Sequence, residues 1–328
     1  MRVLLLCTGG TIAGRGGDST DLNAYTAGAL PGTALVEAVP ELNSLAEITV
    51  EQVANVDSAD LLFSHWQQLH QRLRTALADP DRFDAVVITH GTNTLEETAW
   101  LLQLLIDDPR PVVLVGAMRP ATALSADGPL NLFQAVQTAV SPAAIGHGVL
   151  VVMDGEIHGA RAVTKAATQG VAAFSSRNGA SLGWVDDAGV HLPKPGSSAG
   201  SAAFASLTSL GPWPQVAILH GCVEPPAQLI PLLLQSGVTG LVFTGTGAGQ
   251  LSVVERQALE AWPGAMPLML RANRCGAGPV HRCESHARLG LLPAGTLSPQ
   301  KARVLLLLAL MDGWDRIRLG AWLSAAPR

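Results

Sequence analysis

Two short turns rich in hydroxyls hold the residues best suited to chemistry, TGGTIAG at residues 8–14 and THGTNT at residues 89–94. Each follows an apolar run, so each receives the last side chains of a strand. In the first, two glycines let backbone approach a ligand and leave N–H groups beside Thr11. A hydroxyl in that setting is a candidate nucleophile if a neighbour takes its proton. A dinucleotide fingerprint is excluded, because G-x-G-x-x-G requires glycine where Thr11 stands, and GTGAGQ (245–250) fails at Gln250. The polar, glycine-rich GRGGDSTDLNAYTAG (14–28) comes next and reads as a lid. It carries Tyr25, the chain's single tyrosine, whose phenol could polarise a nucleophile beneath it.

In the second turn, Thr94 and Glu97 have the spacing of a capping box, with Thr94 as the helix N-cap and Glu97 as its reciprocal partner. Leu95, Ala99, Leu102 and Ile106 then form the buried stripe of that helix. Capping accounts for Thr94 and Glu97 and leaves Thr92 and Asn93 to be explained by function. His90 reads as a hydrogen-bonded structural residue. A third cluster, Cys275, His281, Cys283 and His286, lacks the tight paired spacing of zinc ligands, so no metal is expected. A Cys275–Cys283 disulfide is disfavoured in a reducing compartment.

The elements that must position these turns are legible as short apolar runs separated by helical patterns. The runs are residues 3–7, 85–90, 112–117, 148–154, 216–221, 240–245 and 268–272. Helical periodicity marks residues 66–77, 96–106, 130–140 and 227–234, and a last helix starts at Ser298 and Pro299 and stops near Gly313. Continuous rather than alternating apolar strands imply a mostly parallel sheet covered on both faces. The expected fold class is therefore α/β: a larger N-terminal doubly wound domain (1–192) and a smaller C-terminal α/β domain (213–328). The Gly/Ser/Pro/Ala-rich segment 193–212 is the linker between them. Ligands gather beyond the carboxyl ends of the strands in such sheets, where both hydroxyl turns lie.

At 48% hydrophobic and 14% charged, the 328-residue chain is globular. Its net charge of −5 and scattered Lys and Arg give no basic stripe, so no nucleic-acid partner is expected. The longest apolar run, Val304 to Met311, is too short to cross a bilayer, so no membrane association is expected. Met1 and Arg2 lead straight into the first strand pattern without a signal peptide, which makes the expected location cytoplasmic.

TGGTIAG, THGTNTLEETA, GAMRPATALSADGPLNL (116–132) and GTLSPQKARVLL (295–306) together resemble the bacterial L-asparaginase family, in its order and spacing over nearly the whole chain. The resemblance implies an amidohydrolase that needs no cofactor. A threonine hydroxyl attacks the side-chain amide of asparagine, ammonia leaves, and water releases aspartate. Matched motif by motif, the nucleophile falls on Thr11, assisted by Tyr25, with a second catalytic threonine at Thr92 and its lysine partner at Lys165. The substrate's α-groups would be read by Ser58 with Asp57 backbone alongside, by position 93, and by an acid from a neighbouring subunit, for which Glu284 is the candidate if one residue of register beside Cys283 is conceded. The resemblance also implies a homotetramer of intimate dimers, with glutamine as a slower substrate.

This chain departs from the family pattern at Ala59, at Ala248 and above all at Asn93, where the motif has aspartate. An ionised aspartate would pair with the substrate ammonium in a bond worth about 1.5–3 kcal/mol. The amide is nearly isosteric and uncharged, so roughly 10- to 200-fold weaker catalytic efficiency is expected from this change alone. Three readings remain open: a residue changed to trap a ligand, a divergence that weakens or redirects the amidase, or a non-catalytic amino-acid-binding or regulatory protein on the same fold.

Overall fold

The computed structural model describes residues 1–196 and 202–325. The middle of the expected linker, residues 197–201, lies outside the described residues. The chain divides into two compact units, Met1–Ala205 and Ser206–Arg328.

In the first unit the strands are β1 (Arg2–Gly9), a short ribbon of β2 (Arg15–Gly16) and β3 (Tyr25–Thr26), β4 (Glu47–Val56), β5 (Ala85–Thr89), β6 (Val112–Val115), β7 (Val149–Met153) and β8 (Glu156–Gly159). They continue with β9 (Val163–Lys165), β10 (Phe174–Ser176), β11 (Gly183–Asp186) and β12 (Gly189–His191). The helices are α1 (Gly32–Glu37), α2 (Phe63–Ala78), α3 (Leu95–Leu105) and α4 (Gly128–Ala139). The main sheet runs β12-β11-β8-β7-β6-β5-β1-β4. Strands β4, β1, β5, β6 and β7 are parallel, and β8, β11 and β12 extend the sheet antiparallel.

Both faces of the parallel part are covered, which is why its strands are apolar at consecutive positions. Val3, Leu5, Val87, Val113, Leu150 and Val152 join Leu132, Ala135, Val136 and Ala139 of α4 in one cluster. Leu4, Leu6, Val86, Ile88, Leu114 and Val151 at the alternate positions are fully buried as well. Each such aliphatic side chain contributes roughly 1.5–3 kcal/mol of transfer free energy. Chain order passes from β1 to β4 on one side of it and then to β5 on the other. The sheet therefore reverses direction at β1, and the crevice beyond its carboxyl end is a ligand position by construction.

The second unit is a parallel sheet of β13 (Val216–His220), β14 (Gly240–Gly245), β15 (Leu268–Asn273) and β16 (Leu291–Pro293) in that order. Its helices are α5 (Leu229–Gln235), α6 (Val253–Glu260), α7 (Glu284–Ala287), α8 (Pro299–Met311) and α9 (Arg316–Ala325). Ser298 caps α8 by accepting a bond from the Lys301 N–H, and residues Val304 to Ala309 of that helix are buried. The expected α/β architecture, a larger mostly parallel domain and a smaller one, is the one observed.

Two local expectations are corrected. Thr94 occupies the N-cap position of α3, yet its side chain makes no capping bond, so the capping box with Glu97 does not form. Its hydroxyl instead donates to the Ser58 carbonyl at 2.8 Å, because the loop after β4 docks against this turn. The sequence pattern also omits β4, an edge strand with no fully buried residue, whose apolar positions are interrupted by Thr49, Glu51, Gln52 and Asn55.

Candidate active site

Three turns leave the carboxyl ends of neighbouring strands and meet: residues 9–11 after β1, 57–58 after β4, and 90–94 after β5. The first meets the third backbone to backbone, and the third meets the second against the Ser58 side chain. A Cβ on Gly10, which has φ +80°, would lie 2.3 Å from Gly91 Cα, and one on Gly91 would lie 2.6 Å from Ser58 Oγ. Glycine is required at both positions by this contact. The Ser58 hydroxyl, 3% exposed, accepts a bond from the Asn93 N–H at 3.1 Å and so locks the third turn to the second. His90 braces the same turn from behind. Its Nδ1 donates to the Gly91 carbonyl at 2.8 Å, and its Nε2 accepts from Thr98 Oγ1 at 2.8 Å. Thr98 in turn accepts from Trp66 Nε1 at 2.9 Å.

Thr11 sits in a one-turn 3-10 helix directly after β1 and is 8% exposed. Its Oγ1 is 2.8 Å from the Tyr25 hydroxyl, which β3 carries back over it. The segment 14–28 between them is built from local turns. Asp18 accepts from the Thr20 N–H and hydroxyl, and Asp21 accepts from the N–H groups of Asn23 and Ala24. These bonds hold both carboxyls below their ordinary range. The base of the segment is pinned where Thr122 Oγ1 accepts from the Gly16 N–H at 2.8 Å.

The second hydroxyl has a cationic neighbour. Lys165, at the end of β9, donates from Nζ to Thr92 Oγ1 and to Asn93 Oδ1, both at 2.9 Å. Burial lowers the Lys165 pKa from its ordinary value, and the negative charge of Asp57 acts in the opposite sense. A lysine whose proton is less tightly held is suited to exchange it with the threonine hydroxyl. Asn93 Nδ2 donates in the other direction, to Asp57 Oδ1 at 3.2 Å. Asp57 also caps the short helix 58–60 by accepting from the Ala59 N–H.

Thr11, Tyr25, Thr92, Asn93 and Lys165 line one cavity of about 710 Å³, in the size range of small-molecule sites. Thr20, Asp21, Leu22 and Asn23 close it from the lid segment, and Met118, Arg119, Thr168, Gln169 and Gly170 complete the wall. Arg119 stands in the GAMRPATALSADGPLNL motif, in a turn that Asp127 holds by accepting from the Met118 and Arg119 N–H groups at 2.9 Å. Thr168, Gln169 and Gly170 were not expected. They lie in the loop between β9 and β10, and their only sequence signal is proximity to Lys165.

Asp57 and Ser58 meet the site through Asn93, Asp57 by its side chain rather than by backbone alone. Glu284 belongs to the second unit. It is the first residue of α7, with Arg282 and Arg288 at 3.6 and 3.7 Å from its carboxylate. Cys275 and Cys283 are free thiols, as are Cys7 and Cys222. Among the described residues no cluster of three or more His, Cys, Asp or Glu side chains could hold a metal ion, and no helix is long and apolar enough to cross a membrane.

Residues 2–196 match the family described as "Asparaginase, N-terminal", and residues 215–323 match "Glutaminase/Asparaginase C-terminal domain". The chain is 40% identical over 316 residues to a probable periplasmic L-asparaginase of Haemophilus influenzae, covering 95% of this chain and 89% of that one. It is 40% identical over 318 residues to L-asparaginase 2 of Escherichia coli, covering 95% and 90%. A crystal structure of a probable cytoplasmic L-asparaginase from Campylobacter jejuni superposes with a TM-score of 0.91 at 37% identity, over 99% of each chain.

Proposed function

The chain belongs to the asparaginase family, and from that premise we propose that it is an L-asparaginase, hydrolysing asparagine to aspartate and ammonia. Thr11 Oγ1 attacks the side-chain amide carbon, with Tyr25 receiving or relaying its proton. The tetrahedral centre collapses with cleavage of the C–N bond, and ammonia departs carrying the proton supplied to it. Water then adds to the Thr11 ester, regenerating the hydroxyl and releasing aspartate. Thr92 and Lys165 form the second proton-transfer pair, while Ser58, Asn93 and Asp57 orient the α-groups of the substrate. The chemistry uses protein groups alone and needs no cofactor.

The observation that carries this reading is the presence of two partnered threonine hydroxyls on one cavity, Thr11 with the Tyr25 hydroxyl at 2.8 Å and Thr92 with the Lys165 ammonium at 2.9 Å. A lone threonine is a poor nucleophile, and each of these has a partner through which a proton can move. Functionally the chain divides into a domain of chemistry (1–192), the linker 193–212, and a domain (213–328) that completes a neighbour's site in a homotetramer through Glu284. Glutamine, one methylene longer, is the second candidate substrate. We place it in the cytoplasm, as a structural neighbour is named, although a relative is named periplasmic.

Asn93, with Ala59 and Ala248, favours one alternative, a non-catalytic amino-acid-binding or regulatory protein. Coupled ammonia release from asparagine and glutamine, beside calorimetry with asparagine and aspartate, separates the two. Turnover that disappears in Thr11→Val is the expected result. Binding of aspartate with no ammonia released by the intact protein would replace the enzyme reading with the alternative.

A further inference from the structure

The amide of Asn93 is held between a cation and an anion. Lys165 Nζ lies 2.9 Å from its Oδ1, and Asp57 Oδ1 lies 3.2 Å from its Nδ2. An ammonium can only donate and an ionised carboxylate can only accept, so one orientation of the amide satisfies both neighbours. The backbone of the same residue is fixed by Ser58 Oγ at 3.1 Å, so the segment 57–58 grips Asn93 by main chain and side chain together. Asp57 Oδ1 also accepts from the Ala59 N–H at 2.8 Å, and Oδ2 accepts no hydrogen bond among the described residues. The helix cap accounts for that one bond to Ala59 and leaves the alignment with Asn93 and Lys165 unexplained.

The geometry points to Asp57 as the displaced counter-charge of this site: a positioning residue that holds the Asn93 oxygen toward Lys165 and supplies, one hydrogen bond farther out, the negative charge that an aspartate at position 93 would carry. This deepens the proposed function and rests on it. The line from Lys165 through Asn93 to Asp57 keeps a carboxylate in electrostatic reach of the lysine and of a substrate ammonium beside it, with the amide dipole aligned to transmit the field. Asn93 is therefore one half of a two-residue acid equivalent, and an isolated reading of position 93 overstates what the site has lost.

A distinctive coupling follows. Asp57→Asn keeps size and an acceptor for the Asn93 N–H₂ but removes the charge, and catalytic efficiency should fall on the order of 10- to 100-fold. Asn93→Asp alone sets two carboxylates face to face with no donor between them, so one ionises only at raised pH and efficiency at neutral pH does not improve. Combining the two changes restores a donor opposite a carboxylate, and the double variant should recover to the level of the unaltered protein or above it. Asp57→Glu should retain part of the activity that Asp57→Asn loses.

A pH profile supplies a readout that a merely structural role would not move. Asp57 raises the affinity of Lys165 for its proton against the lowering by burial, so Asp57→Asn should move the limb set by Lys165 to lower pH. The other charged groups lining the cavity with that lysine are Asp21 and Arg119, and α3, which packs against β9, carries Glu96 and Glu97 in its first turn. All are unchanged by the substitution.

The test is this set of four variants, assayed for ammonia release from asparagine across pH and for aspartate binding by calorimetry. Mutual rescue of the two charge-swapping changes, in turnover or in binding, is the expected result. The inference is overturned if Asp57→Asn stays within about twofold of the unaltered protein in both assays, or if the double variant is no better than Asp57→Asn. Calorimetry keeps the two levels apart. Rescue in aspartate binding without any ammonia release overturns the enzyme reading alone, and turnover without rescue overturns the role of Asp57 alone.

Discussion

The Thr11 and Tyr25 hydroxyls lie 2.8 Å apart although one follows a central strand and the other belongs to a surface ribbon. The contact exists because residues 14–28 fold back over the end of β1. It makes the environment of Thr11, the proposed nucleophile, depend on a segment with little core of its own. Tyr25→Phe removes the hydroxyl and preserves the ring, so the loss should fall on the chemical step. Expected is a drop in kcat on the order of 100- to 10,000-fold with a much smaller change in KM. Steady-state ammonia release measures both, and a change confined to KM would mean that Tyr25 only shapes the cavity.

Thr92 and Lys165 should behave as one device. Each of Thr92→Val and Lys165→Met is expected to lower kcat by about 100-fold or more. The double variant should be no more than about threefold worse than the poorer single one, because removing either partner already disables proton exchange between them. Multiplicative losses in single-turnover assays would instead show two independent roles.

How much of this arrangement is legible in the sequence depends on whether a local pattern or a distant partner sets each residue. The parallel strands are readable because burial on both faces forces consecutive apolar positions such as Val86, Val87 and Ile88. β4 is not, because an edge strand answers to solvent on one side and carries Glu47, Glu51 and Gln52. Thr94 has the residue type and spacing of a cap, but Ser58 competes successfully for its hydroxyl from 36 positions away in sequence. The hydroxyl turns can be singled out from their composition, and Lys165 only through resemblance. The orientation of Asn93 depends on Lys165 and Asp57 together, and no single stretch of sequence contains all three.

The meeting of the turns after β1 and β5 predicts intolerance at Gly10. A methyl group there would lie 2.3 Å from Gly91 Cα, and the φ of +80° is itself strained for any L side chain. Relief requires separating two backbones, since no flexible side chain can yield. Gly10→Ala should therefore destabilise the protein by about 2 kcal/mol or more, and thermal melting should show it. Activity should fall further than stability does, because Thr11 and Thr92 sit on the two turns being pushed apart. A variant with unchanged melting temperature and activity would refute the close approach.

Acid should weaken the fold through histidines that stay neutral inside it. His70 and His90 are each 1% exposed, and burial is the main cause that pushes both imidazoles down to about 4. Folded, they remain unprotonated as pH falls below 6.5, while the unfolded chain binds protons there. The unfolded state then holds more protons, so stability is complete above pH 6.5 and declines toward pH 4. At about 1.4 kcal/mol per pH unit, that interval corresponds to roughly 3 kcal/mol for each imidazole. Urea denaturation at pH 4.5, 5.5 and 7 should record the slope. His90→Gln removes one titrating group, at some cost at pH 7 because the bonds to Gly91 and Thr98 are disturbed. Its stability should nonetheless depend less steeply on pH between 4.5 and 6.5 than that of the unaltered protein. An identical slope would mean that His90 gains its proton in the folded state, and that the brace behind the THGTNT turn opens to water.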